Sequence, residues 1–289
     1  LGGSTTWANI RGLLTNNIEG IKIYEGGDFK SNTEDVWGIS DKNLFLESSE
    51  ILSANKNPFF AIIQTAGNHR PYTIPEEDLD EFNKVNISHD SLIKFGFENN
   101  EELNAFRYMD FSIQKFMEAA ARTKYYDNTI FVFVGDHGIA GNAGNILPMS
   151  YTQQNLLAEH VPLLFFSNKY LSAKKINDVC SQIDILPSIA SIAKQSYTNS
   201  TLGRSLFDLE NLPKFAFITD PDRNSTGVVS NEYYFVKYNS GPSKFVSILN
   251  NADVIVNPSS DSIKNYMEKL TDGIQETSKY LLLNNKKRN

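Results

Sequence analysis

Cysteine is nearly absent from the 289 residues: Cys180 stands alone, so the chain closes no disulfide within itself and builds no thiolate metal cluster. Basic residues fall short of acidic ones, 27 against 34, and the formal charge of −7 argues against general nucleic-acid binding, which needs a basic stripe to displace counterions from phosphates. No apolar run approaches the ~20 residues that a membrane helix requires. The first residues also lack the charged-then-apolar pattern of a secretion signal. What remains is a chain long enough to bury a sizeable core, as one large α/β domain or two smaller ones. Its 12% aromatic content points to a packed interior and away from disorder.

The stretch that carries most information is Asn128-Thr129-Ile130-Phe131-Val132-Phe133-Val134-Gly135-Asp136-His137-Gly138. Its apolar run reads as a strand covered on both faces, as in the centre of a parallel sheet. Asp136 and His137 then fall at the carboxyl end of that strand, where open α/β sheets place their ligand sites. Neighbouring side chains on a strand point to opposite faces, so these two converge on one ion only where the backbone turns. Gly135 and Gly138 are expected to permit that turn. A carboxylate beside an imidazole is a mixed oxygen and nitrogen donor pair suited to Mn²⁺, Mg²⁺ or Zn²⁺.

Other segments read as follows. Residues 41 to 55 form a helix, 58 to 65 a strand, 101 to 123 a long helix and 129 to 135 a strand. Leu103, Phe106, Ile113, Phe116, Met117 and Ala120 share one helical face, which is expected to pack on the sheet. After residue 213 the pattern changes to strands at 215–219, 232–238 and 244–249, a small antiparallel subdomain, followed by an amphipathic helix over 261–283. Cys180 is read as core packing in an amphipathic helix, His89 as a surface residue, His160 as a structural or supporting one, and Lys286-Lys287-Arg288 as a solvated tail. The glycine-rich loop from Gly138 to Pro148 is expected to lie over the site; no lysine-bearing helix follows at the spacing of a phosphate cradle.

Several ordered blocks resemble one family. Tyr125-Tyr126-Asp127-Asn128-Thr129 with the strand and Asp136-His137-Gly138 is similar to the metal-binding strand of the sulfatase and alkaline phosphatase superfamily, in its branch of lipoteichoic acid synthases and phosphoglycerol transferases. Gly2-Gly3-Ser4-Thr5-Thr6-Trp7-Ala8-Asn9-Ile10-Arg11-Gly12 resembles that branch's segment with an aromatic residue and an arginine beside the substrate phosphate, although the two are spaced more widely here. Trp37-Gly38-Ile39-Ser40-Asp41 resembles its link into a helix, and Pro58 to Tyr72 its second catalytic strand, ending in Asn68-His69. His160 to Phe166, Ser181 to Ser188 and Leu202-Gly203-Arg204-Ser205-Leu206 complete the likeness.

The resemblance implies an α/β fold with a mostly parallel central sheet between helices. It implies a family domain over 1–212, with 213–289 packed as part of the same unit. It implies Asp136 and His137 as metal ligands, Mn²⁺ foremost. His69 becomes the catalytic donor to a phosphate oxygen or leaving alkoxide, and Arg11 and Trp7 the substrate-binding pair. The family's nucleophile and first-strand acidic ligand are absent, so a carboxyl-terminal piece of a longer enzyme is expected, inactive alone and anchored to the membrane through its missing part. The implied reaction takes glycerol phosphate from a glycerophospholipid, a phosphodiester, and hands it to a glycan or lipid hydroxyl outside the cytoplasm. A sulfatase or phosphoethanolamine transferase, or a non-enzymatic binding fragment, is the alternative.

Overall fold

A computed structural model of the protein describes residues 1–6, 9–139, 141–142, 146–208, 214–250, 252, 254 and 258–284. The chain divides into two compact units, Leu1–Thr129 with Ser167–Lys169 and Ile130–Phe166 with Tyr170–Asn289. This cut follows compactness, whereas the division expected at residue 213 follows the change of sequence pattern there.

Among the described residues the first unit holds four α-helices, α1 (Ile10–Asn17), α2 (Asp41–Ala54), α3 (His89–Lys94) and α4 (Asn100–Ala120). Helix α2 starts where the Ser40 hydroxyl accepts from the Asn43 amide, and α4 where Asn99 accepts from Glu102. Each cap satisfies an amide that the first turn leaves without a partner. The two helices pack through Phe45 and Phe116, ring centroids 5.1 Å apart, with Leu44 and Ala120 buried beside them.

The buried stripe of α4 runs through Ala105, Tyr108, Ser112, Phe116 and Ala120. Phe106, expected to be inside, is 60% exposed. A polar contact sets this rotation. The Tyr108 hydroxyl donates to the buried Asp78, which also receives the Lys42 ammonium. Burial, and then the Asp78 carboxylate, push the Tyr108 phenol above its ordinary range. Apolar periodicity does not register such a pairing, so the helix turns about one residue from the expected face; within its unit it packs on α2.

No strand forms over residues 58–65. The segment has no regular structure, and Phe60 and Ile62 are 63% and 72% exposed. An alternating or apolar pattern states a tendency to pair; a ladder also needs a neighbour to take the backbone groups.

In the second unit, β1 (Phe131–Val134) pairs antiparallel with β2 (Leu163–Phe166), Phe131 opposite Phe166. The α/β class stands. The strands described pair antiparallel, and the parallel core expected is not among them. Two short helices accompany this pair, α5 (Met149–Gln153) between its strands in sequence and α6 (Ile185–Ile192) after β2. Cys180 lies in irregular chain and not in a helix; burial pushes its thiol up, as befits packing.

The remaining strands, β3 (Ala216–Asp220), β4 (Ser225–Val229), β5 (Tyr233–Tyr238) and β6 (Lys244–Ser247), form an antiparallel meander in chain order. Along β5 the side chains alternate between faces. Phe235 joins Val228, Phe245 and Met267 of the terminal helix α7 (Pro258–Asn284), while Tyr234 and Val236 join Leu156, Ile218 and Ile248. Both faces are therefore covered, and Tyr234, Phe235 and Val236 are all buried. Phe235→Ala is expected to cost about 3–5 kcal/mol in urea unfolding, the usual range for emptying a fully buried aromatic site. Phe60→Ser should stay within ~0.5 kcal/mol because its ring is largely in solvent. A large loss at Phe60 would show that this segment is covered in solution.

Candidate active site

At the end of β1 the backbone is pinned on several sides. Gly135 donates its amide to the Pro162 carbonyl (3.3 Å) and Gly138 to the Ala158 carbonyl (2.8 Å). The side-chain amide of Gln182 donates to two successive carbonyls, Gly135 O at 2.7 Å and Asp136 O at 2.8 Å. Two neighbouring carbonyls reached by one nitrogen lie on the same side, so the strand's alternation is broken there. Neither glycine adopts a positive φ. The expected conformational role of Gly138 is corrected: it supplies room, since a Cβ at that position would sit 2.2 Å from the Leu157 carbonyl oxygen.

The consequence is that Asp136 and His137 face one another. The His137 amide donates to Asp136 Oδ1 (2.9 Å), and Asp136 Oδ2 stands 3.9 Å from His137 Nε2. Both side chains are open, 74% and 63% exposed. His137 Nδ1 lies 2.9 Å from the Gly138 carbonyl oxygen. A carbonyl only accepts, so Nδ1 carries the proton and Nε2 the lone pair, the tautomer of a metal-ligating imidazole. Two donors on one first-row ion sit roughly 3–3.5 Å apart for bonds of about 2.1 Å, so the donor set and its spacing fit a divalent cation with a small rotation. Among the described residues no third His, Cys, Asp or Glu completes a set.

Gln182 is itself fixed. It opens a short turn, Gln182–Asp184, in which buried Asp184 accepts from the Ser181 amide (2.9 Å) and from the Arg204 amide (2.9 Å). The Leu206 amide donates to Ser188 Oγ on α6 at 2.9 Å. The Gly203 to Leu206 block thus holds the turn that aims Gln182 at the carbonyls of residues 135 and 136.

The first unit places the other candidates. Ile39 donates its amide to Gly2 O (3.1 Å), bringing the segment before Arg11 against the Trp37-Gly38 turn. Gly38 has φ +115°, and a Cβ there would lie 1.9 Å from Gly2 O, so only glycine fits. Trp37 then reaches the His69 loop: its indole stacks on the imidazole with centroids 4.3 Å apart and planes 20° off parallel, and its Nε1 donates to the Arg70 carbonyl at 2.7 Å.

Asp41, the first residue of α2, holds the same loop from below. It is buried, and its carboxylate accepts from the Ala66 amide (3.1 Å) and the Gly67 amide (3.1 Å to Oδ2). Burial raises its pKa to about 6 against the opposing pull of those amides. Arg11 donates from Nη2 to Glu25 (2.7 Å) and from Nε to Thr5 Oγ1 (3.0 Å). The Thr5 hydroxyl, then its amide, and then Arg11 hold the Glu25 carboxyl down at about 2. Trp7 lies outside the described residues. His160 packs edge-on against Tyr151, centroids 5.4 Å apart, in line with a structural role.

The structure thus brings Asp136 and His137 together in one unit, and in the other links the segment around Gly2 to the His69 loop through Trp37 and Gly38, with Arg11 held by Thr5 and Glu25. Gln182, Asp41, Glu25 and the stacking role of Trp37 escaped sequence reading. Each acts through contacts that no local periodicity encodes.

Comparison with known proteins bears on this arrangement. The Sulfatase family profile matches residues 6–195. Lipoteichoic acid synthase 1 of Bacillus subtilis (strain 168) is 28% identical over 210 residues, 68% of this chain and 31% of that protein. Lipoteichoic acid synthase of Staphylococcus aureus (strain USA300) is 24% identical over 187 residues, 60% of this chain and 26% of that protein. The matched part therefore spans a third or less of these relatives' length. Among solved structures, a protein in the alkaline phosphatase superfamily from Vibrio parahaemolyticus superposes with a TM-score of 0.71 at 21% identity, covering 95% of this chain and 64% of that one. The lipoteichoic acid synthase LtaP from Listeria monocytogenes gives 0.70 at 16% identity, covering 97% and 68%. These likenesses establish the alkaline phosphatase-like fold.

Two outcomes follow from the supports. Gln182→Leu should weaken Mn²⁺ binding by about tenfold, the usual effect of losing an outer-sphere partner, with little change in unfolding midpoint; electron paramagnetic resonance of free Mn²⁺ reads the first and circular dichroism the second. For Asp41, the folded pKa of about 6 lies above the ordinary 3.8, so the native state binds the proton more tightly. Stability contributed at this position is then greatest below about pH 4 and falls as pH rises toward 6, by on the order of 3 kcal/mol. Asp41→Asn should flatten that fall in urea titrations between pH 4 and 7; an unchanged slope would assign it elsewhere.

Proposed function

The chain belongs to the sulfatase family, and from that premise we propose that it is the metal-binding and leaving-group part of a phosphoglycerol transferase acting on a glycerophospholipid phosphodiester. The reading is supported above all by the Asp136 and His137 pair, fixed on one turn with its imidazole tautomer set, inside the segment that matches the family. Likeness to two lipoteichoic acid synthases favours this branch over the sulfatases proper and the phosphoethanolamine transferases.

In this reading Asp136 Oδ2 and His137 Nε2 hold a divalent ion, Mn²⁺ foremost with Mg²⁺ or Zn²⁺ as alternatives. The ion, when bound, supplies positive charge that neutralises phosphate oxygens and lowers the pKa of an attacking hydroxyl. That hydroxyl comes from outside residues 1–289. His69 donates a proton to the leaving alkoxide, with its ring plane set by Trp37 and its loop by Asp41. Arg11 presents a planar fork to phosphate, which must share or displace the Glu25 carboxylate that occupies Nη2. Trp7 supplies an apolar wall in the same proposal.

The substrate side is a lipid head group and the acceptor a glycan or lipid hydroxyl at the outer face of the cell membrane. No helix among the described residues is long and apolar enough to cross a membrane. Attachment of the whole protein to the membrane belongs to the same proposal. The domain division at residues 212 and 213 belongs to this same reading.

Isothermal titration of the 289-residue chain with MnCl₂ should give weak 1:1 binding that Asp136→Ala and His137→Ala abolish and His69→Ala leaves intact. The same chain should not hydrolyse a chromogenic phosphodiester. Robust turnover lost in Asp136→Ala would place the attacking hydroxyl inside these residues and overturn that part of the reading. Loss of metal in His69→Ala would make His69 a ligand.

A further inference from the structure

Beside the His69 loop, within the same unit, residues 83–88 run extended and are held by one face of α4. Arg107 donates to Asn83 O (2.8 Å), Asn104 exchanges two bonds with Val85 (2.8 Å each), and Asn100 takes the Ile87 amide (2.9 Å) and donates to Ile87 O (3.1 Å). Three alternate residues are thus captured by side chains one helical turn apart. In an extended chain the intervening residues present their N–H and C=O groups the other way. Lys84 and Asn86 do so, and neither has a backbone partner among the described residues.

Those free groups border a cavity of about 500 Å³, lined by Tyr72, Lys84, Asn86, His89, Glu98 and Glu101 among others. Its size suits a small ligand. Its charge decides which kind. Glu98 is neutralised by Arg70 (2.5 Å), which leaves the Lys84 ammonium and the Glu101 carboxylate to balance each other. An anion such as phosphate gains nothing net from such a wall, whereas hydroxyl groups, which donate and accept, match free amides, free carbonyls and both charged ends. The cavity adjoins the candidate chemistry, because the Tyr72 amide donates to the His69 carbonyl (2.9 Å).

We infer that this cavity binds a neutral polyhydroxylated chain, a sugar or an open polyol, alongside the His69 loop. That its occupant is the hydroxyl-bearing partner of the transfer reaction rests on the function proposed above; the binding itself does not.

Saturation-transfer difference NMR on the full 289-residue chain tests it, with maltotriose as the sugar probe, ribitol as the polyol probe and inorganic phosphate as the anion. Transfer to maltotriose or ribitol is expected, and which of them responds identifies the source. Lys84→Glu and Glu101→Leu, both at exposed positions, should each reduce it by roughly fivefold, the loss of about one hydrogen bond, with circular dichroism unchanged. Lys279→Glu on α7 should leave it at the wild-type level. No transfer to either probe, undiminished transfer in both cavity variants, or displacement of the probes by millimolar phosphate would overturn the inference. Binding of a sugar by a chain that takes up no Mn²⁺ would sink the proposed function and leave this site standing.

Discussion

Side chains next to each other on an extended backbone point apart, and every chemical role proposed for residues 136 and 137 depends on cancelling that alternation. The cancellation is done by one amide group. Gln182 donates to the carbonyls of both Gly135 and Asp136, while the amides of Gly135 and Gly138 are tied to the chain around Pro162 and Ala158. With the backbone so held, a carboxylate and an imidazole that a regular strand would send to opposite faces stand 3.9 Å apart. The chain from Leu206 and Arg204 through Ser188 and Asp184 to Gln182 is what makes a distant block of sequence part of this turn.

The first unit solves a parallel problem by other means. His69 sits on an exposed loop, where an imidazole would ordinarily sample several rotamers. Stacking by Trp37 fixes the ring plane, and the buried carboxylate of Asp41 fixes the backbone two residues before it. Keeping Asp41 ionised in that setting costs stability, which is why its pKa stands at about 6. Destabilising groups retained beside a candidate site are a common mark of function, since packing alone would favour an apolar residue there.

Much of this was legible in the sequence, and the limits have physical causes. The apolar run ending in Asp136-His137, the helices beginning at Asp41 and near Asn100, and the terminal helix all announce themselves through local pattern and capping residues. Strand β4 did not, because Asn224-Ser225-Thr226-Gly227 carries turn chemistry and becomes a strand only by lying between β3 and β5. Residues 58–65 read as a strand yet pair with nothing described, since composition cannot supply a neighbour. The face of α4 was set by Tyr108 and Asp78, thirty positions apart, a contact that helical periodicity cannot express. Gln182 lies 46 residues from the carbonyl of Asp136 that it holds, so nothing in its own surroundings marked it.

The central claim, that Asp136 and His137 together grip a divalent ion through Oδ2 and Nε2, is tested most directly by nitrogen-15 NMR of the histidine rings during titration with Zn²⁺. The account requires the Nε2 resonance of His137 to move on binding while Nδ1 stays protonated, with His69 unchanged and the whole response lost in Asp136→Ala. A His137 ring that ignores the metal, or one that coordinates through Nδ1, would contradict it.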